Sequence, residues 1–203
     1  IGLWDDLKNL KPLPRFIAQT VAGLFTAAVL ILGNNVGNPT GSQIFDSIIT
    51  VIWVVGICNS INFFDNLDGG AAGTVAISSI ALAILALNGD QYLIAALSTV
   101  TAGATLGFLV WNKSPAKIYM GDAGALFLGV LLATLTVRFE PTAQTQIGSY
   151  LIPILLLAIP ILDTTVAVLS RVRRHLSAFQ GGQDHLSHRL IRAGLSRKQA
   201  AFS

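Results

Sequence analysis

Aspartate, asparagine and glycine residues concentrate in short polar segments between long apolar runs. Asp5 and Asp6 stand side by side ahead of the first run, and residues 59–70 bring together Asn62, Asp65 and Asp68. Carboxylate and amide oxygens at the end of a helix suit a hard cation or the polar groups of a nucleotide. The same residue types also favour ordinary turns, so a ligand site and a solvated turn both stay open.

A third polar segment, residues 112–124, places Asp122 at the edge of an apolar run with Gly121 and Gly124 on either side. A carboxylate at a membrane edge is costly unless it is paired or binds a metal, which makes Asp122 a candidate functional residue. Lys113 and Lys117 could contact a ligand, but they are also typical of the cationic anchors that flank membrane helices.

The last polar segment begins with a basic cluster at Arg171–Arg174 and continues to His185, His188 and Arg189. Histidines three residues apart lie on one face of a helix. Without a cysteine or a third histidine nearby, the pair is not typical of zinc and better suits the oxygens of a phosphate. The arginine cluster could also anchor the chain to anionic lipid. The sequence has no Walker-type phosphate loop and no nucleophile elbow.

The elements that position these residues are mostly apolar. The 203 residues are 53% hydrophobic and 11% charged, against about 25% charged in soluble globular domains. Apolar runs close to the ~17–25 residues needed to cross a bilayer lie at 16–32, 44–58, 72–88, 91–111, 123–138 and 148–169. They predict an all-α, polytopic transmembrane helical bundle of about six crossings, since a barrel would alternate and a soluble core would break up such runs. Pro153 and Pro160 predict a kink in the last crossing.

Alternating these runs across a membrane sorts the connecting segments onto two sides. Of the 13 lysines and arginines, all but Arg138 fall on the side that holds residues 1–15, 59–71, 112–122 and 170–203. The positive-inside rule makes this side cytoplasmic. Most aspartates share it, although the rule does not require that, so the aspartates are the stronger functional signal.

The chain begins at Ile1 and shows no leading signal segment. We therefore expect residues 1–203 to form a single integral membrane catalytic domain. We also expect the chain to be a fragment that lacks N-terminal helices. Whether C-terminal helices are missing too stays open.

Four ordered blocks carry a resemblance to a known family. They are Gly2-Leu3-Trp4-Asp5-Asp6, Asn59-x-x-Asn62-x-x-Asp65-x-x-Asp68-Gly69, Pro115-Ala116-Lys117-x-x-Met120-Gly121-Asp122-x-Gly124 and His185-x-x-His188-Arg189. Together they resemble the polyprenyl-phosphate N-acetylhexosamine-1-phosphate transferase superfamily over nearly the whole chain. The tail, with Pro160-x-x-Asp163-Thr164 before it, looks like the branch that starts O-antigen, teichoic acid and related glycans. The branch that transfers phospho-MurNAc-pentapeptide typically has a run of adjacent histidines instead, and it stays open as an alternative.

The resemblance implies a Mg²⁺-dependent phosphotransferase of the cell membrane, with Mn²⁺ as a substitute cation and the active site on the cytoplasmic face. It would move N-acetylhexosamine 1-phosphate, expected to be GlcNAc 1-phosphate, from a UDP-amino sugar to polyprenyl (undecaprenyl) phosphate and release UMP. This reaction would be the first step of cell-envelope polysaccharide assembly. A homodimer is an open option, and no nucleic-acid partner is expected.

The residue roles below follow from the same resemblance. The expected catalytic residues are Asp5, Asp6 and His188, and the expected metal ligands are Asp122 and Asn62. The expected substrate-binding residues are Asp65, Asp68, Asn112, Lys117, Tyr119, His185 and Arg189. The chain departs from the family at Asn9, where many relatives have a third aspartate, and at Asn66, where glycine is common. A direct transfer and a covalent two-step mechanism both stay open.

Two other classes compete with this interpretation. A transporter or channel would hold its ionisable residues near the bilayer midplane, often on broken helices in repeated halves. The charges here lie at one edge and no repeat is evident. A non-catalytic, lipid-binding relative is disfavoured because Asp5, Asp6, Asn62, Asp122 and His188 are all retained.

Overall fold

The structure is a computed structural model that describes residues 2–8, 12–34, 40–141, 146–176, 185–196 and 199. Within these ranges the chain is helical and contains no strand. The helices are α1 (Gly2–Lys8), α2 (Pro12–Leu32), α3 (Gln43–Phe64), α4 (Gly70–Asn88), α5 (Tyr92–Asn112), α6 (Gly121–Arg138), α7 (Gln146–Leu156), α8 (Ala158–Arg173) and α9 (Leu186–Arg192). The all-α prediction is confirmed. The departure at Asn9 lies outside the described residues, as do residues 177–184 of the tail.

The long helices have the length and composition of membrane spans. Each of α3, α4, α5 and α6 is long and apolar enough to cross a bilayer, and the bent pair Tyr150–Leu156 and Ala158–Arg173 could form a fifth span. The apolar part of α2, Gln19–Leu32, is shorter and lies where the first of the six crossings is predicted. The protein is therefore a membrane-type helical bundle, and about six crossings is approximately consistent with these helices.

Small residues let the helices approach closely. A Cβ atom added to Gly129 of α6 would lie 2.8 Å from the Cα atom of Cys58 in α3, and one added to Gly23 of α2 would lie 2.8 Å from Val55 Cγ2. Such close approach favours helix association in lipid. Burying apolar side chains between helices gives no hydrophobic free energy there, because lipid tails are equally apolar, so close van der Waals packing contributes instead. Helix α3 thus packs between α2 and α6 and forms the centre of the bundle.

The end of α3 differs from the prediction. The apolar run stops at residue 58, but the helix continues to Phe64, where the Asp65 N–H still donates to the Ile61 carbonyl at 3.2 Å. Helices end where the backbone changes direction rather than where hydropathy falls, and here Gly69 adopts φ +79° in the turn that follows. Asn62 therefore lies on the last turn of α3 and not in a loop.

The predicted kink falls between the two prolines. Helices α7 and α8 meet at Leu157 with a bend of 77°. Pro160 has no N–H to donate to the Leu156 carbonyl one turn earlier. That carbonyl instead accepts a hydrogen bond from the Ser78 hydroxyl of α4 at 2.6 Å. The break is therefore satisfied by a neighbouring helix, as an interruption inside a bilayer requires.

The polar segments of the bundle lie at two opposite ends. The turns after α3 and before α6 share one end, because Asn62 at the end of α3 contacts Asp122 at the start of α6, and Asn112 at the end of α5 contacts Gly69 before α4. At the other end, the Gln91 side chain accepts from the Glu140 N–H at 2.9 Å and donates to the Glu140 carbonyl. These two bonds join the α4–α5 turn to the end of α6.

Candidate active site

The first turn of α6 is the centre of the candidate site. Asp6 of α1 accepts hydrogen bonds from the N–H groups of Asp122 at 2.8 Å and Ala123 at 3.1 Å. The first N–H groups of a helix have no partner within it, and its N-terminus carries a partial positive charge, so a carboxylate there is stabilising. Asp6 therefore caps α6 from another helix.

Gly121 makes this contact possible. Its φ of +63° is a left-handed conformation that glycine adopts most readily. A Cβ atom at Gly121 would lie 2.8 Å from Asp6 Oδ2 and 2.9 Å from Oδ1. Any side chain here would push the carboxylate away from the N-terminus of α6.

Helix α1 lies directly against the same turn. A Cβ atom on Gly2 would lie 2.5 Å from the Cα atom of Ala123, so the two backbones are in contact. A helix of 7 residues is too short to be stable alone, so packing must hold it. Asp5 is buried, 5% exposed, whereas the adjacent Asp6 is exposed and contacts α6. The aspartate pair is therefore divided between two environments.

Asn62 and Asp122, the expected metal ligands, meet at this turn. Asn62 Nδ2 donates a hydrogen bond to Asp122 Oδ1 at 3.0 Å, joining the last turn of α3 to the first turn of α6. Asp65, one turn beyond Asn62, is partly buried. Burial and the neighbouring Asp122 carboxylate raise the pKa of Asp65 to about 6. The three side chains thus concentrate oxygen atoms and negative charge in one place.

This donor set fits a divalent cation that is completed by substrate. Among the described residues, no three His, Cys, Asp or Glu side chains converge into a closed protein cage. Mg²⁺ commonly uses one or two carboxylates and takes its remaining ligands from water and substrate phosphates. Asp122, the Asn62 amide oxygen and Asp65 could supply the protein part of such a site, and a cation would relieve the repulsion between the two carboxylates.

Asp68 and Asn112 join the two loops beside this cluster. Asn112 Oδ1 accepts from the Gly69 N–H at 3.1 Å, and Nδ2 donates to the Ile118 carbonyl at 2.9 Å. Asp68 Oδ2 accepts from the Ala116 N–H at 3.1 Å. Asn112 is only 3% exposed. The polar atoms of Asn112 are therefore engaged within the protein, and they hold the loop before α6 against the turn after α3.

The loop before α6 presents Lys117 and Tyr119 on the surface. The Lys117 N–H donates to the Trp111 carbonyl at 2.8 Å, and Lys117 Nζ lies 5.2 Å from the centroid of the Trp111 ring. This cation–π geometry holds the ammonium group beside α5. Tyr119 is 75% exposed, so its ring is accessible for stacking.

The histidines form a second group at the start of α9. His185 Nδ1 lies 2.7 Å from Asp163 Oδ2, and Asp163 Oδ1 accepts from the Leu186 N–H at 2.7 Å. The His185 and His188 rings lie 6.3 Å apart between centroids. Arg189 follows on the same short helix and is exposed. The contacts that place His185 are therefore made with α8.

Asp163 is absent from the residues that the sequence predicts for the site. It is fully buried within α8. A carboxylate inside an apolar run is itself a signal of function, because burying it alone in a membrane is expensive. The position of Asp163 inside an apolar run is visible in the sequence. Its partner, His185, lies 22 residues later and could not be identified from the sequence.

Comparisons with known proteins identify the family of the chain. The model of the family named Glycosyl transferase family 4 matches residues 1–140. The chain is 36% identical, over all of its length and 58% of the relative, to the probable undecaprenyl-phosphate N-acetylglucosaminyl 1-phosphate transferase of Bacillus subtilis. It is 34% identical, over all of its length and 57% of the relative, to the decaprenyl-phosphate N-acetylglucosaminephosphotransferase of Mycobacterium leprae.

A further relative comes from another branch. The phospho-N-acetylmuramoyl-pentapeptide-transferase of Streptococcus thermophilus is 36% identical over 69% of the chain and 45% of the relative. The chain thus spans little more than half the length of the first two relatives and less than half of this one. With the family model covering most of the chain and two relatives aligned along all of it, the chain belongs to glycosyl transferase family 4.

Proposed function

We propose that the protein transfers N-acetylhexosamine 1-phosphate, specifically GlcNAc 1-phosphate, from a UDP-sugar to a polyprenyl phosphate and releases UMP. The observation that carries this proposal is the oxygen-rich cluster of Asp6, Asn62, Asp65 and Asp122 at the N-terminus of α6. It lies at the end of membrane helices, where a lipid phosphate and a water-soluble sugar nucleotide can meet. The names of the Bacillus and Mycobacterium relatives support the choice of substrates.

The cluster would use Mg²⁺. Asp122 and Asn62 are the proposed ligands, with Asp65 beside them, and the cation supplies charge neutralisation on the diphosphate when it is bound. The N-terminus of α6 adds a partial positive charge in the same place.

The two aspartates of α1 receive different roles in this proposal. Asp6 positions the α6 turn through its two backbone hydrogen bonds. Asp5 is the proposed carboxylate near the attacking lipid phosphate. An oxygen of that phosphate forms a bond to the sugar-linked phosphorus, the bond from this phosphorus to the bridging oxygen breaks, and UMP leaves with the electron pair. The lipid phosphate is already anionic at neutral pH (second pKa about 6), so Asp5 needs to orient it more than to deprotonate it.

The nucleotide would lie along the loop before α6. Tyr119 is the proposed stacking partner of the uracil ring, and Lys117 is the proposed cation beside the diphosphate. Asp68 and Asn112 shape this loop through their contacts with Ala116, Gly69 and Ile118. His185, His188 and Arg189 are proposed to hold the diphosphate or the sugar from the side of α9.

The orientation of the protein is part of the proposal. The basic residues at the cluster end of the bundle favour placing this end on the cytoplasmic face, where UDP-sugars are available. Association into a homodimer is a further hypothesis from the family resemblance, and the mass of the purified complete protein in solution is its test.

The reaction is tested with the complete protein in detergent or lipid. UMP release and lipid-linked sugar are measured with undecaprenyl phosphate and UDP-GlcNAc, UDP-GalNAc or UDP-MurNAc-pentapeptide. We expect turnover with UDP-GlcNAc that stops when divalent cations are chelated and returns with Mg²⁺. Full turnover without a divalent cation would exclude the proposed mechanism, and the absence of transfer from every sugar nucleotide would exclude the function.

The pentapeptide substrate is included because one observation favours it. The Streptococcus relative named for that reaction is as similar in identity as the Bacillus one, although it aligns with 69% of the chain rather than all of it. Selective turnover of UDP-MurNAc-pentapeptide would replace the GlcNAc proposal with this alternative.

Asp122→Ala tests the metal assignment. The substitution removes the carboxylate that joins α6 to Asn62, and we expect turnover to fall by at least about 100-fold, because charge stabilisation at the diphosphate is lost. Asp90→Asn is the matched control. Asp90 lies at the opposite end of the bundle with φ +57°, a conformation that asparagine tolerates. An Asp122→Ala variant with wild-type turnover would remove Asp122 from the metal site.

A further inference from the structure

The buried carboxylate of Asp163 contacts the start of α9. The residue is 0% exposed and lies in the second turn of α8, about 15 Å along the helix from Arg173. Its Oδ2 lies 2.7 Å from His185 Nδ1, and its Oδ1 accepts from the Leu186 N–H at 2.7 Å. Both oxygens are thus directed at the segment that carries the histidines.

This geometry favours one tautomer of His185. A carboxylate only accepts hydrogen bonds, so with Asp163 in that form the ring presents N–H at Nδ1. The other nitrogen, Nε2, is then the atom with a free lone pair in the neutral ring, or a second donor in the charged ring. Without Asp163, nothing in this contact would distinguish the two neutral forms of the imidazole.

The same carboxylate holds α9 in place. This helix has 7 residues, and its N-cap residue, His185, makes no side-chain cap of its own. Such a short helix is not stable without external contacts. Asp163 supplies the missing partner of the Leu186 N–H and a negative charge at the helix N-terminus. His188, 6.3 Å from His185 between ring centroids, is thereby positioned relative to α8.

We propose that Asp163 is a positioning residue of the transferase site: it keeps the proton of His185 on Nδ1 and anchors α9, so that His185 Nε2 and His188 are directed at the diphosphate of the sugar nucleotide. This inference rests on the proposed function for the identity of the ligand. The contact between α8 and α9 is independent of the proposed function.

Asp163→Asn separates the two contacts. The Leu186 N–H can only donate, so the asparagine oxygen must turn towards it and the NH₂ group then faces His185. The histidine can respond by moving its proton to Nε2. We therefore expect α9 to stay docked while His185 changes to the other tautomer, with the lone pair of Nδ1 facing the new amide.

The tautomer is measured by ¹⁵N NMR on histidine-labelled complete protein, with the His185 signals assigned by their loss in His185→Ala. The expected result is an Nδ1-protonated ring in the wild type and an Nε2-protonated ring in Asp163→Asn. Thr165→Val is the control, because the exposed Thr165 hydroxyl donates within its own helix, to the Ile161 carbonyl at 2.7 Å. An unchanged His185 tautomer in Asp163→Asn would overturn the proposal.

Turnover tests whether the effect passes through His185. We expect Asp163→Asn to lower kcat/KM by about ten- to hundred-fold, as loss of a partner that orients a functional histidine does elsewhere. In a His185→Ala background, the same substitution should add less than about threefold, because residues that act together are not additive. If the kcat/KM losses of the two single variants multiply in the double variant, Asp163 acts independently of His185, and this result would overturn the proposal.

Failure of the proposed function gives a different pattern. If the wild type transfers no sugar phosphate from any UDP-sugar, the transferase proposal fails, and the NMR comparison, which needs no substrate, still tests the Asp163–His185 contact. If the wild type is active and Asp163→Asn changes neither tautomer nor turnover, only the positioning role fails.

Discussion

Asp5 and Asp6 are adjacent, but they lie in different environments beside the N-terminus of α6. Asp5 is buried, whereas the exposed Asp6 gives both carboxylate oxygens to backbone N–H groups of α6. Neighbouring residues of a helix point about 100° apart, so only one of an adjacent pair can face a given contact. A substitution of Asp6 therefore disturbs the position of Asp122 as well as removing a charge.

Gly121→Ala tests this positioning without removing any charged group. The new methyl group would lie under 3 Å from both Asp6 oxygens, and alanine is strained at φ +63°. We expect the free energy of unfolding to fall by about 1–3 kcal/mol. Turnover should fall by about ten- to hundred-fold, because small displacements of a reacting group are costly.

Gly107→Ala is the matched control for this substitution. Gly107 lies inside α5, and a Cβ atom there would meet nothing within 4 Å. Alanine should be neutral or slightly stabilising at such a position. Equal turnover in the two variants would contradict the role assigned to the Asp6–α6 contact, and melting temperatures measured on both would report the stability difference.

At the scale of elements, the two shortest helices depend on carboxylate contacts with their neighbours. Helix α1 is fixed through Asp6 at the N-terminus of α6, and α9 is fixed through Asp163 of α8 at its own N-terminus. Each helix has 7 residues, which is too few to be stable in isolation. The long apolar helices form the scaffold, and the short ones carry candidate site residues to it.

The loop before α6 is positioned in a similar way by Asn112. Asn112→Ala would leave the Gly69 N–H and the Ile118 carbonyl without their partner, and both belong to the loops beside the cluster. We expect the free energy of unfolding to fall by about 1–3 kcal/mol. We also expect KM for the UDP-sugar to rise more than kcat falls, because Tyr119 follows Ile118 in the displaced loop.

The control is Asn88→Ala, an exposed asparagine at the opposite end of the bundle. It should leave both the melting temperature and KM unchanged. A low kcat with an unchanged KM in Asn112→Ala would place the effect of Asn112 on the chemical step rather than on the nucleotide loop.

At the scale of the whole molecule, the bundle has two unlike ends. One end collects the carboxylate cluster and the loops that Asn112 joins, and the other is closed by the Gln91–Glu140 contact. Exposed aliphatic side chains such as Ile52, Ile84 and Val100 cover the surface between them, as expected where lipid replaces water.

The orientation of the two ends can be measured with cysteine labelling in intact cells. Cys58, the single cysteine of residues 1–203, is only 1% exposed and should give little background. We expect a membrane-impermeant maleimide to label Asn88→Cys from outside and Lys113→Cys only after permeabilisation, because Lys113 lies at the cluster end. The reverse pattern would place the candidate site on the outer face and exclude a cytoplasmic UDP-sugar as its substrate.

The apolar runs were sufficient to predict the class of fold, and the polar motifs nominated the candidate site residues, whose roles stay predictions. Long apolar runs predict helices because the backbone in lipid must satisfy its own hydrogen bonds, and α4 and α5 begin and end within a few residues of the predicted limits. Pro153 and Pro160 likewise predicted a kink in the last crossing, since the loss of an N–H is a local property, and the structure places the break at Leu157.

The pairing of those residues depends on how the helices pack against one another. The type of a side chain determines which hydrogen bonds it can donate or accept. Its partner depends on which groups the other helices and loops bring near it. Asp6 could not be distinguished from Asp5 until α6 lay beside α1, and Asn112 could not be placed between two loops. Asp163 shows the same limit most clearly. Its partner, His185, lies 22 residues later at the N-terminus of α9, a helix too short to be stable without tertiary contacts.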